Sequence, residues 1–436
     1  MAGLNYVAFN QDHSLLAVAT TRGLRIYNTD PFELSNQTYE EDISLVEQLF
    51  STSLVALILT PRLLRIVNTK RHSTICELTF HGMVVAVKMN RKRLVVILEE
   101  TVFIYDISNM KMLHSQLTPI NPAGICAISP NSENNYLALP HHQKTPPNPQ
   151  SQPSHVPKSI VKETISGDVL LYDLNKMEEV TVIPAHQAPV SCIAINNDGT
   201  LMATSSEKGT VIRIFSIPDG KKLFQFRRGS MPARIYSMSF NAASTLLCVS
   251  SATETVHVFK LSAPQHNPNN NGSSSLSPPT SPNDPSPNPW PRDRSVSPST
   301  SEDQSESTPH LDSSLEHRQP KPRSQPNLMS FVRRTSQNVS TSLVSRAAGY
   351  LPSSVTEMWE PQRDFAWVRV PRGAGGQPVK SVVAMGNAAP SVMVATSEGG
   401  FLVYSVDLER GGEGTLVRRF DDIHGLKHRK GQEMDD

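Results

Sequence analysis

Short segments in which apolar and polar residues alternate recur along the chain, and each ends near an aromatic residue or valine. Such alternation over about five residues is typical of a β-strand in a packed sheet. Seven copies are recognisable: LRIYN at 24–28, LRIVN at 64–68, VFIYD at 102–106, VLLYD at 169–173, IRIFS at 212–216, VHVFK at 256–260 and FLVYS at 401–405. Most follow a second strand and a turn, as in LMATSSEKG, which itself follows a third strand such as CIAINNDG. The pattern predicts repeated groups of strands.

The spacing of these copies predicts the architecture. When the aromatic residues or valine near the end of each copy are aligned, the intervals are 40, 38, 67, 43, 44 and 145 residues, for Tyr27, Val67, Tyr105, Tyr172, Phe215, Phe259 and Tyr404. A period of about 40 residues with three or four strands is the signature of a β-propeller blade. We therefore predict an all-β, seven-bladed β-propeller of degenerate WD repeats, since the usual Gly-His and Trp-Asp marks are mostly absent. A pair of β-sandwiches is the alternative.

Two insertions explain the two long intervals. Residues 262–327 hold 14 of the 34 prolines and 16 serines, and residues 141–159 have a similar composition. Such segments bury too little apolar surface to offset their ordering entropy, so both are predicted to be disordered. The predicted order is blades one to six in residues 1–261, a Pro/Ser-rich loop in 262–327, an amphipathic segment in 328–352, the rest of blade six and blade seven in 353–425, and a polar tail in 426–436.

Composition and charge narrow the class of protein. The 436 residues carry 41 Lys and Arg against 40 Asp and Glu, a balance that gives no general attraction to nucleic acid. We find no apolar run of about 18 residues and no signal peptide. The four cysteines are far apart, at Cys76, Cys126, Cys192 and Cys248, which suits a reducing compartment and predicts no metal site. Enzyme motifs and cofactor motifs are also missing, so we expect a cytoplasmic binding protein.

The sharpest local motif is FRRG at 226–229. Because side chains alternate along a strand, Arg227 and Arg228 are predicted to point to opposite sides, where each guanidinium would suit the oxygens of a separate phosphate. Donors that would complete two pockets lie in the flanking repeats, and three of them alternate in TETVHVF and are predicted to share one face of a strand. The flanking donors are His186, Ser206, Thr210, Arg213, Thr253, Thr255 and His257. The alternative is a solvated strand end paired with carboxylates.

FRRG, preceded by SEKGTVIRIFS and followed by ETVHVFKL, resembles the PROPPIN family. The resemblance implies a seven-bladed propeller that binds phosphatidylinositol 3-phosphate and phosphatidylinositol 3,5-bisphosphate at two rim sites in blades five and six. It assigns to site one His186, Ser206, Thr210, Arg213 and Arg227, and to site two Arg228, Thr253, Thr255 and His257.

The family also carries a long loop in blade six that enters the bilayer. In this chain the corresponding segment, at 328–352, has helical periodicity with basic residues opposite an apolar face. The residues expected to insert are Leu328, Met329, Phe331, Val332, Val339 and Leu343. A segment that stays disordered, or one that packs on the propeller, is the alternative.

A second surface is implied for a protein partner. Pro61-Arg62 matches a Pro-Arg pair in a blade-two loop through which fungal members contact autophagy-related protein 2, a lipid-transfer protein, although an ordinary β-turn would use the same residues. The resemblance thus implies recruitment of this partner to preautophagosomal, endosomal and vacuolar membranes for autophagosome formation, and leaves self-association on membranes open. A protein-only WD-repeat scaffold, which binds peptides over its central channel, is the competing hypothesis.

Overall fold

Strands account for all the regular secondary structure that the computed structural model describes. The described residues are 3–39, 41–142, 165–261, 361–373, 375–387 and 390–425, and they contain 29 strands in seven antiparallel sheets. Six sheets have four strands, and one has a fifth, very short strand at its edge that runs parallel to its neighbour. Contacts divide the whole chain into Met1–Ala263 with Glu357–Asp436, and Pro264–Thr356, which lies outside the described residues.

The first four blades follow one another along the chain, and each is one sheet. Blade one comprises β1 (Leu4–Phe9), β2 (Leu15–Thr20), β3 (Gly23–Thr29) and β4 (Phe32–Thr38). Blade two comprises β5 (Leu45–Gln48), β6 (Leu54–Thr60), β7 (Leu63–Asn68) and β8 (Ser73–Thr79). Blade three comprises β9 (Val84–Met89), β10 (Arg93–Leu98), β11 (Thr101–Asp106) and β12 (Met112–Leu117). Blade four comprises β13 (Ala127–Ile128), β14 (Tyr136–His142), β15 (Ile165–Asp173) and β16 (Glu178–Pro184).

The remaining three blades contain the FRRG motif and its surroundings. Blade five comprises β17 (Val190–Ile195), β18 (Leu201–Ser206), β19 (Val211–Ser216) and β20 (Lys222–Arg227). Blade six comprises β21 (Ile235–Phe240), β22 (Leu246–Ser251), β23 (Thr255–Lys260) and β24 (Ala366–Arg369). Blade seven comprises β25 (Ser381–Met385), β26 (Ser391–Thr396), β27 (Phe401–Ser405) and β29 (Thr415–Phe420), while β28 (Gly412–Glu413) pairs with β24 of blade six.

The seven sheets form a ring. The first strands contact one another in the order β1, β5, β9, β13, β17, β21 and β25, and β25 contacts β1 again. The first strand of every blade therefore lines the axis, and the fourth lies at the rim. This arrangement confirms the predicted seven-bladed β-propeller. All seven aligned residues, from Tyr27 to Tyr404, lie on the third strand of their blades.

Blades one and seven are built from opposite ends of the chain, and their four main strands belong to separate sheets. Side-chain contacts between these two blades therefore close the ring. Phe32 stacks between Tyr27 and Phe401, with ring centroids 4.9 and 4.3 Å away. The Tyr27 hydroxyl donates to the Ile423 carbonyl over 2.7 Å. Stacked aromatic rings combine a large buried area with a preferred geometry, and here they join the two ends of the chain.

Both predicted insertions fall between paired strands, but the prediction that the first one starts at residue 141 is wrong, because His141 and His142 are the last residues of β14. Residues 143–164 separate β14 from β15 in blade four, and residues 262–360 separate β23 from β24 in blade six. These two stretches, with the predicted 328–352 segment and the 426–436 tail, lie outside the described residues. After the second insertion, residues 361–365 run along the outer edge of β20, where Arg227 N donates to the Gln362 carbonyl over 2.8 Å and Gln362 N donates to the Gln225 carbonyl over 3.1 Å. We call residues 361–365 the strap.

Candidate functional site

The FRRG motif lies at the end of β20, the outermost strand of blade five. Phe226 is 1% exposed and stacks on Phe259 of blade six, with ring centroids 4.8 Å apart. Because side chains alternate along a strand, Arg227 lies on the opposite face of β20, which looks toward blade four. Arg228 follows the strand and is 7% exposed, whereas Arg227 is exposed. The two guanidinium groups thus serve different sides of blade five.

Arg213 lies on the same face of blade five as Arg227. These two arginines and the polar residues around them form what we call the first group. Arg213 on β19 is directly paired with Thr204 on β18 and Gln225 on β20, and directly paired residues share a face. Arg213 Nε donates to Gln225 Oε1 over 3.0 Å, and Nη1 donates over 2.6 Å to the Ala185 carbonyl at the end of blade four. These bonds hold the guanidinium in the cleft between blades four and five.

His186 lies against this guanidinium. Arg213 Nη1 is 3.2 Å from His186 Nδ1, and His186 Nε2 is 3.0 Å from Thr204 Oγ1. A guanidinium only donates, so Nδ1 must accept, and the ring proton is on Nε2. Burial, and secondly the charge of Arg213, lower the pKa of His186 to about 4. At neutral pH, Arg213 and Arg227 therefore carry the positive charge of this group.

Ser206 and Thr210 stand at the same end of blade five. Ser206 ends β18, and Thr210 precedes Val211, which is directly paired with Arg227. The turn between them is closed by a 2.8 Å bond from Gly209 N to the Ser206 carbonyl. Four of the five residues assigned to site one therefore lie on one side of blade five or in the turn beside it. The fifth, His186, contacts Arg213 from the connection between blades four and five.

The side chain of Arg228 is held by main-chain carbonyls. Its Nε donates to the Gly209 carbonyl over 2.8 Å, and its Nη2 donates to the Met231 carbonyl over 2.6 Å. Burial lowers the pKa of Arg228, but a guanidinium stays charged at neutral pH. Among the described residues, neither Arg228 nor Arg227 forms a salt bridge with a carboxylate. The alternative of a strand end neutralised by acidic side chains thus finds no support in this part of the chain.

The second group comprises Arg228 and the polar residues of blade six on the side that looks toward blade five. Thr255, His257 and Phe259 alternate on β23, and the contact of Phe259 with Phe226 shows that this face looks toward blade five. His257 Nδ1 donates to Asp364 Oδ2 of the strap over 2.8 Å. A carboxylate therefore already occupies one side of the histidine.

The prediction that Thr253 shares a strand face with Thr255 and His257 is wrong. Strand β23 begins at Thr255, and Thr253 lies in the preceding turn, where its hydroxyl is 2.9 Å from Ser251 Oγ. The turn breaks the two-residue alternation on which the prediction relied. Thr253 remains beside the second group but approaches it from the turn.

Sequence reasoning missed three polar residues of these groups: Thr204, Gln225 and Asp364. Counting outward from the turn at Gly209 would have paired Thr204 with Arg213, because hairpin register follows from the turn. Gln225 lies two residues before Arg227, and alternation alone would have placed it on the same face. Asp364 carried no such signal, because residues 262–360 separate it from His257 in sequence.

The residues assigned to a protein partner lie on a different blade. Pro61 and Arg62 form the exposed turn between β6 and β7 of blade two. Arg62 Nε donates to the Phe80 carbonyl over 2.8 Å, and the Pro61 carbonyl accepts from Val84 N over 2.7 Å. The turn is therefore tied to the segment that leads into blade three.

The residues predicted to insert into a bilayer, Leu328, Met329, Phe331, Val332, Val339 and Leu343, lie outside the described residues. Within the described ranges, no helix has the length and apolar character required to span a bilayer.

Comparison with known proteins identifies one family and several relatives of this chain. A family model described as PROPPIN matches residues 3–146 and 155–277. The chain is 55% identical to autophagy-related protein 18 of Phaeosphaeria nodorum over 423 residues, 96% of this chain and 100% of that protein. It is also 55% identical to autophagy-related protein 18 of Aspergillus oryzae, over 96% of this chain and 99% of that protein.

Solved structures agree on the fold. One is a complex of KlAtg21 with the coiled-coil of AgAtg16, with a TM-score of 0.64 and 26% identity over 96% of this chain and 99% of that chain. Another is Kluyveromyces lactis Hsv2, with a TM-score of 0.63 and 16% identity over 97% of this chain and 100% of that chain. With a family match over more than half of its length and relatives of this identity, the chain belongs to the PROPPIN family.

Proposed function

We propose that this chain binds phosphatidylinositol 3-phosphate and phosphatidylinositol 3,5-bisphosphate through two sites at the rim of blades five and six. The observation that carries the proposal is the placement of Arg227 and Arg228 on opposite sides of blade five, without carboxylate partners among the described residues. Hydroxyl-bearing residues are assigned to both sites, Ser206 and Thr210 with Arg227 and Thr255 with Arg228. An inositol ring bearing phosphates offers both charged oxygens and hydroxyls to such donors.

The FRRG arginines of the two sites differ in how much of their hydrogen-bonding capacity is free. At site one, Arg213 and His186 are already bonded to each other and to neighbouring groups, but Arg227 is exposed. At site two, Arg228 already donates to two carbonyls, and His257 donates to Asp364. We therefore infer that site one binds a head group more tightly than site two.

Membrane attachment is proposed to combine weak anchors. Two head-group sites on one rigid rim, together with the apolar residues of 328–352, would act at a high effective concentration, which raises overall avidity by about 10²–10⁴ over one site. We propose that the protein works in the cytoplasm and attaches peripherally to preautophagosomal, endosomal and vacuolar membranes.

Vesicle flotation tests the lipid proposal. We expect the full chain to float with vesicles that contain phosphatidylinositol 3-phosphate or 3,5-bisphosphate, and to stay in the soluble fraction with vesicles of equal charge made with phosphatidylserine. The reason is that a fixed guanidinium fork recognises phosphate geometry, whereas diffuse attraction depends only on charge. Equal flotation with phosphatidylserine vesicles would mean that the chain binds through nonspecific attraction to negative charge, and would contradict the proposal.

We also propose that the turn of Pro61 and Arg62 recruits a protein of the autophagy-related protein 2 type. Both residues are exposed, and the Arg62 bond to Phe80 fixes the turn. The relative KlAtg21 is itself found with an autophagy protein, the coiled-coil of AgAtg16, which supports a protein partner for a propeller of this kind.

Replacing both residues with alanine should abolish co-precipitation of autophagy-related protein 2 and leave vesicle flotation unchanged, because blade two is remote in the ring from blades five and six. Arg65→Ala, on the adjoining strand β7, is the matched control, since it removes a cation from the same blade. Undiminished co-precipitation by the double variant would place the partner on another surface.

The protein-only scaffold remains the second hypothesis. It would keep the blades of the propeller but would not need the two arginines of FRRG or the donors assigned to them. The flotation experiment separates the two hypotheses, since a protein-only scaffold would not float.

A further inference from the structure

An apolar side chain projects from the rim between the two arginine groups. Residues 228–234 connect β20 of blade five with β21 of blade six, and Met231 in this loop is 75% exposed. Among the large apolar residues that the structure describes, only Tyr39 and Leu117 are more exposed, at 82% and 81%, and both are on other blades. Met231 therefore stands out by its position beside Arg228.

The loop that carries Met231 is held at several points. The Met231 carbonyl accepts from Arg228 Nη2 over 2.6 Å, and Ala233 N donates to the Lys208 carbonyl over 3.1 Å. Ala252 N donates to the Arg234 carbonyl over 2.8 Å. The exposure of Met231 is thus a property of a fixed loop.

Gly209 explains how the loop can lie so close to blade five. It has φ of +59°, and a Cβ there would lie 1.9 Å from the Ala233 carbonyl oxygen. Only glycine leaves room for this contact and adopts this backbone conformation without strain. Pro232 further restricts the backbone of Met231. The framework therefore presents the thioether outward.

The surroundings of Met231 have an excess of positive charge. Lys208 and Arg234 are exposed beside and within the loop, and Arg228 is bonded to it. Glu207 is the acidic residue of the adjacent turn. An apolar tip ringed by cations matches the interface of an anionic bilayer, where acyl chains lie beneath a layer of negative charge. Methionine is flexible and polarisable, so it adapts to disordered chains.

We propose that Met231 inserts into the interface of an anionic bilayer, and so gives the rim an apolar anchor separate from residues 328–352. This inference rests on the proposed lipid-binding function. With head groups bound on both sides of blade five, the loop between the sites would be pressed against the membrane. The anchor then adds to the avidity of the head-group sites without contributing to recognition of the head group.

Two measurements on the full chain test the proposal. Met231→Ser should weaken binding to vesicles of phosphatidylcholine with phosphatidylinositol 3-phosphate by about tenfold, since it removes most of the buried apolar surface of one side chain. It should leave the affinity for soluble dibutanoyl phosphatidylinositol 3-phosphate, measured by calorimetry, unchanged. Met231→Leu should match the wild type in both assays. Leu117→Ser, which removes an exposed apolar side chain from blade three, should also match the wild type in both assays.

A direct readout comes from Met231→Trp. Its fluorescence, after subtraction of the wild-type signal, should be quenched by vesicles with brominated acyl chains. Unchanged vesicle affinity of Met231→Ser, or absence of quenching, overturns the proposal, as does an equal loss of soluble-lipid affinity, which would assign the loop to the head-group site. Failure of the wild type to bind the soluble lipid would instead contradict the proposed lipid-binding function itself.

Discussion

Replacement of both Arg227 and Arg228 with glutamine should abolish flotation with phosphoinositide vesicles. The two guanidinium groups point to opposite sides of blade five, so the double variant removes the central cation of site two and the exposed cation of site one together. Loss of the avidity between two sites alone corresponds to a factor of about 10²–10⁴ in apparent affinity. Flotation against a lipid titration measures the effect.

The single variants should differ from the double and from each other. Arg227→Gln should lower the affinity for phosphoinositide vesicles more than Arg228→Gln does, because Arg228 already donates hydrogen bonds to the Gly209 and Met231 carbonyls. Arg228→Gln should in addition lower the melting temperature, since the buried Gly209 carbonyl loses its partner. Arg71→Gln, at an exposed turn of blade two, is the control for loss of charge alone. Undiminished flotation by the double variant would contradict the two-site arrangement.

Phe226→Ala should be the most destabilising change in the motif. Phe226 is 1% exposed and stacks on Phe259 of blade six at 4.8 Å, so truncation opens a cavity between two blades. Substitutions of this kind cost about 3–5 kcal/mol in the free energy of unfolding. Urea denaturation followed by tryptophan fluorescence checks the expected loss.

Leu223→Ala, on the same strand, is the matched control, because Leu223 is 41% exposed and its truncation should change stability by less than about 0.5 kcal/mol. Phe226→Ala should also weaken site two more than site one, since Arg228 and His257 lie on the two sides of that interface. Equal stability of the two alanine variants would mean that the stacked pair does not hold blades five and six together.

The strap changes the picture of site two. Its Gln362 pairs with the main chain of Arg227, and its Asp364 accepts from His257, so one short segment contacts both groups. The strap directly follows the blade-six insertion, residues 262–360. A head group at the proposed site two would therefore share His257 with a carboxylate of the same protein, which is the physical basis for expecting the weaker affinity there.

The sequence by itself determined the repeat, the number of blades, the third strand of each blade and the opposed directions of Arg227 and Arg228. All of these follow from local alternation and a regular period, which need no knowledge of distant neighbours. Where a turn interrupted the alternation, as at Thr253, the same reasoning failed.

Only the tertiary structure decided which blade each face meets and which groups stand beside the arginines. The loss of charge on His186 depends on burial against Arg213, and the engagement of His257 depends on Asp364, which is 107 residues away in sequence. The aromatic closure joins Tyr27 and Phe32 to Phe401 at the other end of the chain. Such contacts arise from packing between sheets, and a periodic pattern carries no information about which distant residues that packing brings together.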